Sequence, residues 1–192
     1  AGLVAALVAL APETAEVFVE GSSYGEERRM PLRTPTPLLA GPVELAWLAV
    51  VSPLAGALLL AAGRWVAGAL VLAAGVALAA FGARALHALA RRWVVFVPAG
   101  LVLHDHLALA EPTLFRRAAI SSLAAASAGT QALDLTAGAA GLALELRLVE
   151  PVSVVPAPRR GAGVELIDAT TVLFSPSRPG RVLAEARRRR IR

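Results

Sequence analysis

The chain has 192 residues, 57% of them hydrophobic, no cysteine and a formal net charge of +5. The missing cysteines exclude a disulfide framework, a thiolate metal site and a thiol nucleophile, and the length allows a membrane segment plus one modest soluble domain. All 19 basic residues are arginine, beside an excess of Ala, Leu, Val and Gly. That bias points first to a GC-rich genome, with a bacterial and actinobacterial source as the expectation.

The sequence starts at Ala1, which implies a processed or incomplete front. Residues 1–11 are apolar but too few to cross ~30 Å of hydrocarbon before Pro12 and Glu13 interrupt. They read either as the end of a signal segment or further membrane helix, or as a short buried helix. Residues 12–37 carry Glu13, Glu16, Glu20, Glu26 and Glu27, then Arg28 and Arg29, then Pro31, Pro35 and Pro37. This reads as a short helix or strand followed by an extended linker, an interaction segment or a strap.

The strongest signal is an apolar hairpin, residues 43–62 and 65–83, broken only by Gly63 and Arg64. Each arm has about the twenty residues that a membrane-crossing helix needs. So short a break predicts two antiparallel spans. Ala49, Gly56 and Gly63 recur at a spacing of seven, as do Gly68, Gly75 and Gly82. Each series lies along one helix face and predicts a seam where the backbones approach closely. Trp47, Trp65 and Trp93 flank the apolar stretches, as interfacial aromatics do. Counting outward from the turn sets Glu44 opposite Arg84, an interfacial ion pair by expectation. Arg28, Arg29, Arg33, Arg91 and Arg92 lie outside the hairpin against Arg64 at its turn, which predicts a multi-pass protein of the cell membrane with both termini cytoplasmic. Ser52 is the one polar residue near mid-span, so no transport path is read.

Beyond Arg92 the pattern turns to strands. Residues 93–97 and 101–104 flank Pro98-Ala99-Gly100, a hairpin signature. Residues 114–123 and 132–135 suggest further strands, and residues 142–149 alternate, with Leu142, Leu144, Leu146 and Leu148 on one face. Residues 151–163 read as a loop, and 164–167 and 170–174 as strands. Ser177 or Arg178 near the cap and Pro179 in the first turn open a final helix. The domains expected are 1–37 (lead), 38–90 (hairpin) and 91–192 (cytoplasmic domain).

The run Arg92-Trp93-Val94-Val95-Phe96-Val97-Pro98-Ala99-Gly100-Leu101-Val102-Leu103 resembles the first two strands of membrane-anchored bacterial pleckstrin-homology-like domains. Phe174-Ser175-Pro176-Ser177-Arg178-Pro179-Gly180-Arg181-Val182-Leu183 resembles their closing strand and entry to the last helix. The resemblance implies an α+β membrane protein: a two-helix hairpin, then a β-sandwich or barrel capped by a C-terminal helix, acting as a binding or scaffolding module. The turn at Pro98-Ala99-Gly100 lacks the basic residues with which phosphoinositide-gripping members are similar to one another.

His104-Asp105-His106 is the one cluster of ligand-type residues. His104 and His106 would share a strand face, and imidazole suits zinc, yet Glu111 is the only further ligand type nearby. A polar strand end is the preferred reading, with no metal and no cofactor expected. Ser121, Ser122, Ser127 and Ser175 sit in no nucleophile motif, and no glycine loop is followed by a lysine. Seven arginines fall between Arg178 and Arg192. Of these Arg187, Arg188, Arg189, Arg190 and Arg192 form a patch for anionic lipid or an acidic partner, against the alternative of a solvated helix end. Nucleic acid lacks the interleaved aromatics it favours. The function expected is a non-catalytic membrane-anchored binding or scaffold protein, or an accessory subunit of a larger membrane complex. The partners expected are membrane lipids and a protein in the membrane or at its cytoplasmic face.

Overall fold

The computed structural model describes residues 12–158 and 166–191. Residues 1–11, Arg192 and part of the loop expected at 151–163 lie outside these, as do Val164 and Glu165 of an expected strand. The chain divides into two compact units: residues 34–90, and a second unit drawn from the chain on both sides of them.

The first unit is a helical hairpin of α2 (Thr36–Ala61) and α3 (Trp65–Ala90). Each helix is 26 residues long, about 39 Å at 1.5 Å per residue. Both are long and apolar enough to cross a membrane. α2 starts seven residues before the apolar arm because Pro37 falls in its first turn, where a missing N–H costs nothing. Pro42 and Pro53 lie inside it, and the Ser52 hydroxyl donates to the Leu48 carbonyl at 2.7 Å in the turn before Pro53. Gly63 adopts φ +76° to reverse the chain. The large side chains point outward, with Val50, Leu54, Trp65, Val66, Leu70 and Phe81 all exposed.

Among its described residues the second unit holds α1 (Pro12–Glu20), eight strands and α4 (Pro179–Arg188). One sheet has the order β1-β2-β3-β4, with β1 (Arg28–Pro31), β2 (Trp93–Val97), β3 (Gly100–His104) and β4 (Thr113–Arg116) all antiparallel. The other has the order β5-β7-β8-β6, from β5 (Ile120–Ala125), β6 (Leu133–Asp134), β7 (Leu144–Val154) and β8 (Ile167–Phe174). β6 runs parallel to β8 and the other pairs are antiparallel. β2 and β3 meet across the two-residue turn, with Val97 opposite Gly100. Gly100 has φ +152°, and a Cβ there would sit 2.8 Å from the Arg117 nitrogen, so glycine is required.

Several elements differ from the sequence expectation. The lead is no separate region. Its Arg28–Pro31 is an edge strand, so the helical hairpin is an insertion between two paired strands, with Pro31 opposite Trp93. The stretch 114–123 is two strands, because the 3-10 turn Arg117–Ala119 carries the chain from one sheet to the other. β7 runs on through Pro151, with an irregular register against β8 between Arg147 and Val152. The fold class is corrected as a whole. The two sheets are open and separate, neither closes on itself, and no closed pleckstrin-homology-like sandwich or barrel is formed.

One core serves both sheets and α4. Val94, Phe96, Leu101, Leu103 and Phe115 come from the first sheet, Leu144, Leu146, Val172 and Phe174 from the second, and Val182 and Ala186 from the helix. Alternation along β2, β3 and β7 puts these side chains on one face, at about 1.5–3 kcal/mol for each large one buried.

Candidate functional site

The charged surface of the β-unit is organised around α4. Its N-terminal end is fixed beside the end of β1. The Ser177 N–H donates to the Pro31 carbonyl at 2.9 Å, and the Arg33 N–H donates to the Ser175 carbonyl at 2.7 Å. Arg33 is where the chain leaves for α2, and Leu32 bridges Pro176. The C-terminal end of α4 lies at the other end of β1 and β2. There Arg189 sits 5.9 Å over the Phe96 ring and donates to the Glu26 carbonyl. α4 therefore runs along the sheet from the hairpin junction to the Pro98 turn.

The expected basic patch separates on this helix. Arg188 and Arg189 both bind Glu185, three and four residues earlier, at 2.9 and 2.6 Å. Burial pushes the Glu185 carboxyl up, but the hydrogen bonds from Arg188 and Arg189 outweigh it and hold the group below the usual carboxylate range. Arg187 and Arg190 are exposed, and Arg192 lies outside the described residues. Among the described residues of the patch, Arg188 and Arg189 are thus paired and Arg187 and Arg190 are uncommitted, at the end of the unit remote from Arg33.

A second charged surface was not singled out from the sequence. α1 lies beside α4, and Arg178 meets Glu13 at 3.3 Å and Glu16 at 3.2 Å. Arg181 meets Glu16 at 3.3 Å. Glu20, at the other end of α1, binds the Arg28 guanidinium and accepts from the Arg29 N–H. Between α1, α4 and β1 lies a groove of about 720 Å³ lined by Val17, Met30, Arg181 and Ala184 among others. Val17 and Phe18 of α1 are 72% and 80% exposed. Five glutamates in the lead and two arginines at the start of the last helix were the available signal; their pairing across more than 150 residues of chain was not.

Among the described residues Arg92 and Asp105 form the most buried ion pair. The Arg92 guanidinium donates from Nε to Asp105 Oδ1 at 2.6 Å and from Nη2 to Oδ2 at 2.7 Å. Its Nη1 donates to the Arg33 carbonyl at 2.9 Å, and the Leu107 N–H also donates to Asp105 Oδ1. Arg92 is therefore no free cation flanking a membrane span, and Asp105 faces inward. Arg28 and Arg29 are likewise engaged with Glu20 and Glu27, and Arg33 donates to the carbonyls of Ala140 and Ser177.

The histidines separate. His104 stacks on Trp93 with ring centroids 4.9 Å apart, while His106 is exposed. Burial first, then the charge of Arg91, lowers the His104 pKa. Among the described residues no three His, Cys, Asp or Glu side chains converge as a metal set. On β7 the leucine-in alternation holds for Leu144, Leu146 and Leu148, and on the opposite face Glu145 is buried and accepts from Arg147 at 2.5 Å. That hydrogen bond holds its carboxyl below the usual range.

In the hairpin, Gly56, Gly68, Gly75 and Gly82 are the buried residues of α2 and α3. A Cβ on Gly56 would lie 2.7 Å from Leu72 Cγ, on Gly68 2.6 Å from Leu60 Cγ, and on Gly75 2.7 Å from Ser52 Cβ. On Gly82 it would meet Leu45 Cβ at 3.3 Å. Ala49 is half-buried, and Gly63 is exposed in the turn. Glu44 and Arg84 form no ion pair and both are exposed. The reason is rotation: two residues beyond Gly82, Arg84 stands about 200° around α3 from the seam.

No family model matches the chain, and no curated protein or solved structure matches it. The resemblance to pleckstrin-homology-like domains is thereby withdrawn, as the open sheets already required. The bacterial and actinobacterial source, a reading of composition, has no relative to support it either.

Proposed function

We propose that this chain is a non-catalytic, membrane-anchored binding protein. The observation that supports this best is the insertion of the hairpin between β1 and β2. Two helices of membrane-crossing length expose large apolar side chains, and the residues they bury fully are glycines. Lipid is the solvent that suits such a surface. Because Pro31 pairs with Trp93, the two ends of the hairpin start from neighbouring strands. A two-span anchor then returns to the side it left, with the β-unit on that side.

The side is the cytoplasm in this reading, and the anchor is multi-pass in the cell membrane. Arg91 beside the root of α3 supports that side. Arg28, Arg29, Arg33 and Arg92 add little, being engaged within the β-unit. The test uses a chain without native cysteines: Arg64→Cys and Arg190→Cys, each labelled on intact cells with an impermeant thiol reagent. Label at position 64 and none at 190 supports the topology. Label at 190 overturns it, and loss of the chain from alkali-washed membranes overturns the anchor.

A second reading, an accessory subunit of a membrane complex, is favoured by the exposed Val17, Phe18 and Tyr24 along the N-terminal strap. Gentle solubilisation separates the two. A stoichiometric co-purifying protein that is lost in a Val17→Ser, Phe18→Ser variant supports the subunit.

A further inference from the structure

We propose that the cleft between residues 126–132 and the outer face of β7 and β8 binds an extended peptide that carries a basic side chain. The peptide backbone lies on the free edge of β8 and its cation on Glu145. The inference rests on the binding-protein reading, adds the class of partner, and lies wholly within the β-unit.

Three observations carry it. First, the chain that joins β5 to β6 leaves a cavity over the sheet. β5 pairs with β7 on one side and β6 with β8 on the other, so residues 126–132 cross from edge to edge. The Ala126 N–H donates to the Ala143 carbonyl at 3.0 Å where the crossing begins. Among the described residues, the backbone from Ser127 to Gln131 makes a single hydrogen bond, from Thr130 to Ser127 within the crossing itself. The crossing is thus tied at its ends and stands off the sheet between them. The cavity there is about 500 Å³ and is lined by Thr130, Gln131, Glu145, Arg147, Asp168 and Thr171 among others.

Second, a buried carboxylate in this cavity is half satisfied. Glu145 is on the face of β7 opposite the core leucines, yet it is 4% exposed. Its Oε1 accepts from Arg147 at 2.5 Å, while its Oε2 is buried with no hydrogen-bond partner. The Thr130 hydroxyl comes close enough to help lower the carboxyl pKa without completing a hydrogen bond to Oε2. An acceptor withdrawn from water and left open is costly. An ammonium or guanidinium that displaces the Thr130 side chain completes it. Glu145 and Asp168 outnumber Arg147 in the cavity, which selects a cation over an anion.

Third, the cavity runs along an unpaired strand edge. β6 pairs with Val172 and Leu173 alone. Upstream of these, from Ile167 to Thr170, that edge of β8 has no strand partner among the described residues. Four residues give about 13 Å of open backbone donors and acceptors, a template for an added strand. Consecutive residues of β8, Ile167 to Thr171, line the cavity. A small free amine would use the carboxylate and leave this edge unpaired, which is why the occupant assigned is a peptide.

The test uses the full chain in lipid nanodiscs and a display library of random ten-residue peptides. The peptides recovered should share an Arg or Lys at one position and lack Pro beside it. One of them, resynthesised, should protect the amides of Ile167–Thr170 from hydrogen exchange. Replacing its basic residue by Gln, or Glu145→Gln in the protein, should weaken binding by about tenfold or more, the scale of one lost charge-assisted hydrogen bond. Glu145→Gln keeps the side-chain shape, and near-ultraviolet circular dichroism checks that the β-unit stays folded. Ala132→Trp fills the cleft and leaves Glu145 in place, and it should also remove binding.

Recovered peptides without a shared basic residue overturn the proposal. So does binding that the folded Glu145→Gln protein retains in full, or protection that falls on another strand. Displacement of the peptide by methylguanidinium at equal concentration also overturns it, since the ligand is then a small cation. A chain that recovers no peptide but stays in alkali-washed membranes overturns this proposal and leaves the anchor. One that is lost from those membranes yet binds the peptide overturns the anchor and leaves the cleft.

Discussion

The two units solve the burial problem in opposite ways. In the β-unit the large apolar side chains, Phe96, Phe115, Phe174 and the leucines of β3 and β7, are inside, and arginine and glutamate cover the outside. In the hairpin the fully buried residues are Gly56, Gly68, Gly75 and Gly82, with Leu45, Ser52, Leu60 and Leu72 packed against them, while Val50, Leu54, Trp65, Leu70 and Phe81 face outward. Water drives the first arrangement by expelling apolar surface. No such drive exists between helices in lipid, so in the anchor proposed above close backbone approach and dispersion contacts must hold the second. The same composition is therefore sorted by volume in one unit and by polarity in the other.

That contrast can be broken most severely at Arg92 and Asp105. Asp105→Ala leaves a buried guanidinium without its partner, and we expect a loss of about 3–5 kcal/mol, read from denaturant unfolding of the β-unit. The double change Arg92→Met, Asp105→Leu should recover much of it, because the uncompensated charge is gone. Next is the seam. Gly75→Ile drives a side chain into Ser52, and about 1–3 kcal/mol should be lost from hairpin stability. The β-unit signal should not move, which sharpens the division into two units. Equal loss in both would remove it.

A smaller effect separates the charged groups. Glu145 and Glu185 have carboxyl pKa values below the ordinary carboxylate value. A depressed folded pKa contributes stability above the unfolded pKa and loses it as pH falls through the folded one. Lowering the pH from neutrality through the acid range should thus destabilise the β-unit. Glu145→Gln and Glu185→Gln should each flatten that slope, as read from melting midpoints across the pH series. The smallest change expected is Arg187→Gln, within about 0.5 kcal/mol, since this exposed side chain holds nothing.

What could be read from the sequence was local. Gly63-Arg64 and Pro98-Ala99-Gly100 announce reversals through the residues that make them, and Pro179 marks the start of the last helix. β1 was unreadable because Arg28-Arg29-Met30-Pro31 has no strand pattern and finds its partner some sixty residues on. Arg92 was read as a membrane flank because its position favours that, while the carboxylate that claims it sits on the far side of a β-hairpin. Glu185 was visible at the helical spacing that neutralises Arg188 and Arg189, and the arginine run drew attention from it. The Glu13, Glu16, Arg178 and Arg181 surface joins the two ends of the chain, and only the folded sheet brings them together.

The place of β1 also has a consequence for how the chain is made. During synthesis β1 emerges first, with no strand to pair, and stays an exposed edge until β2 follows the hairpin out. Closing so long a loop at random would cost substantially more entropy than closing a two-residue turn. An antiparallel helix pair that is already folded brings residues 34 and 90 back toward each other and leaves a short gap to close. Pairing of the two helices is thus the step that makes the first sheet possible, and a chain stalled before Trp93 would display an unpaired strand to its surroundings.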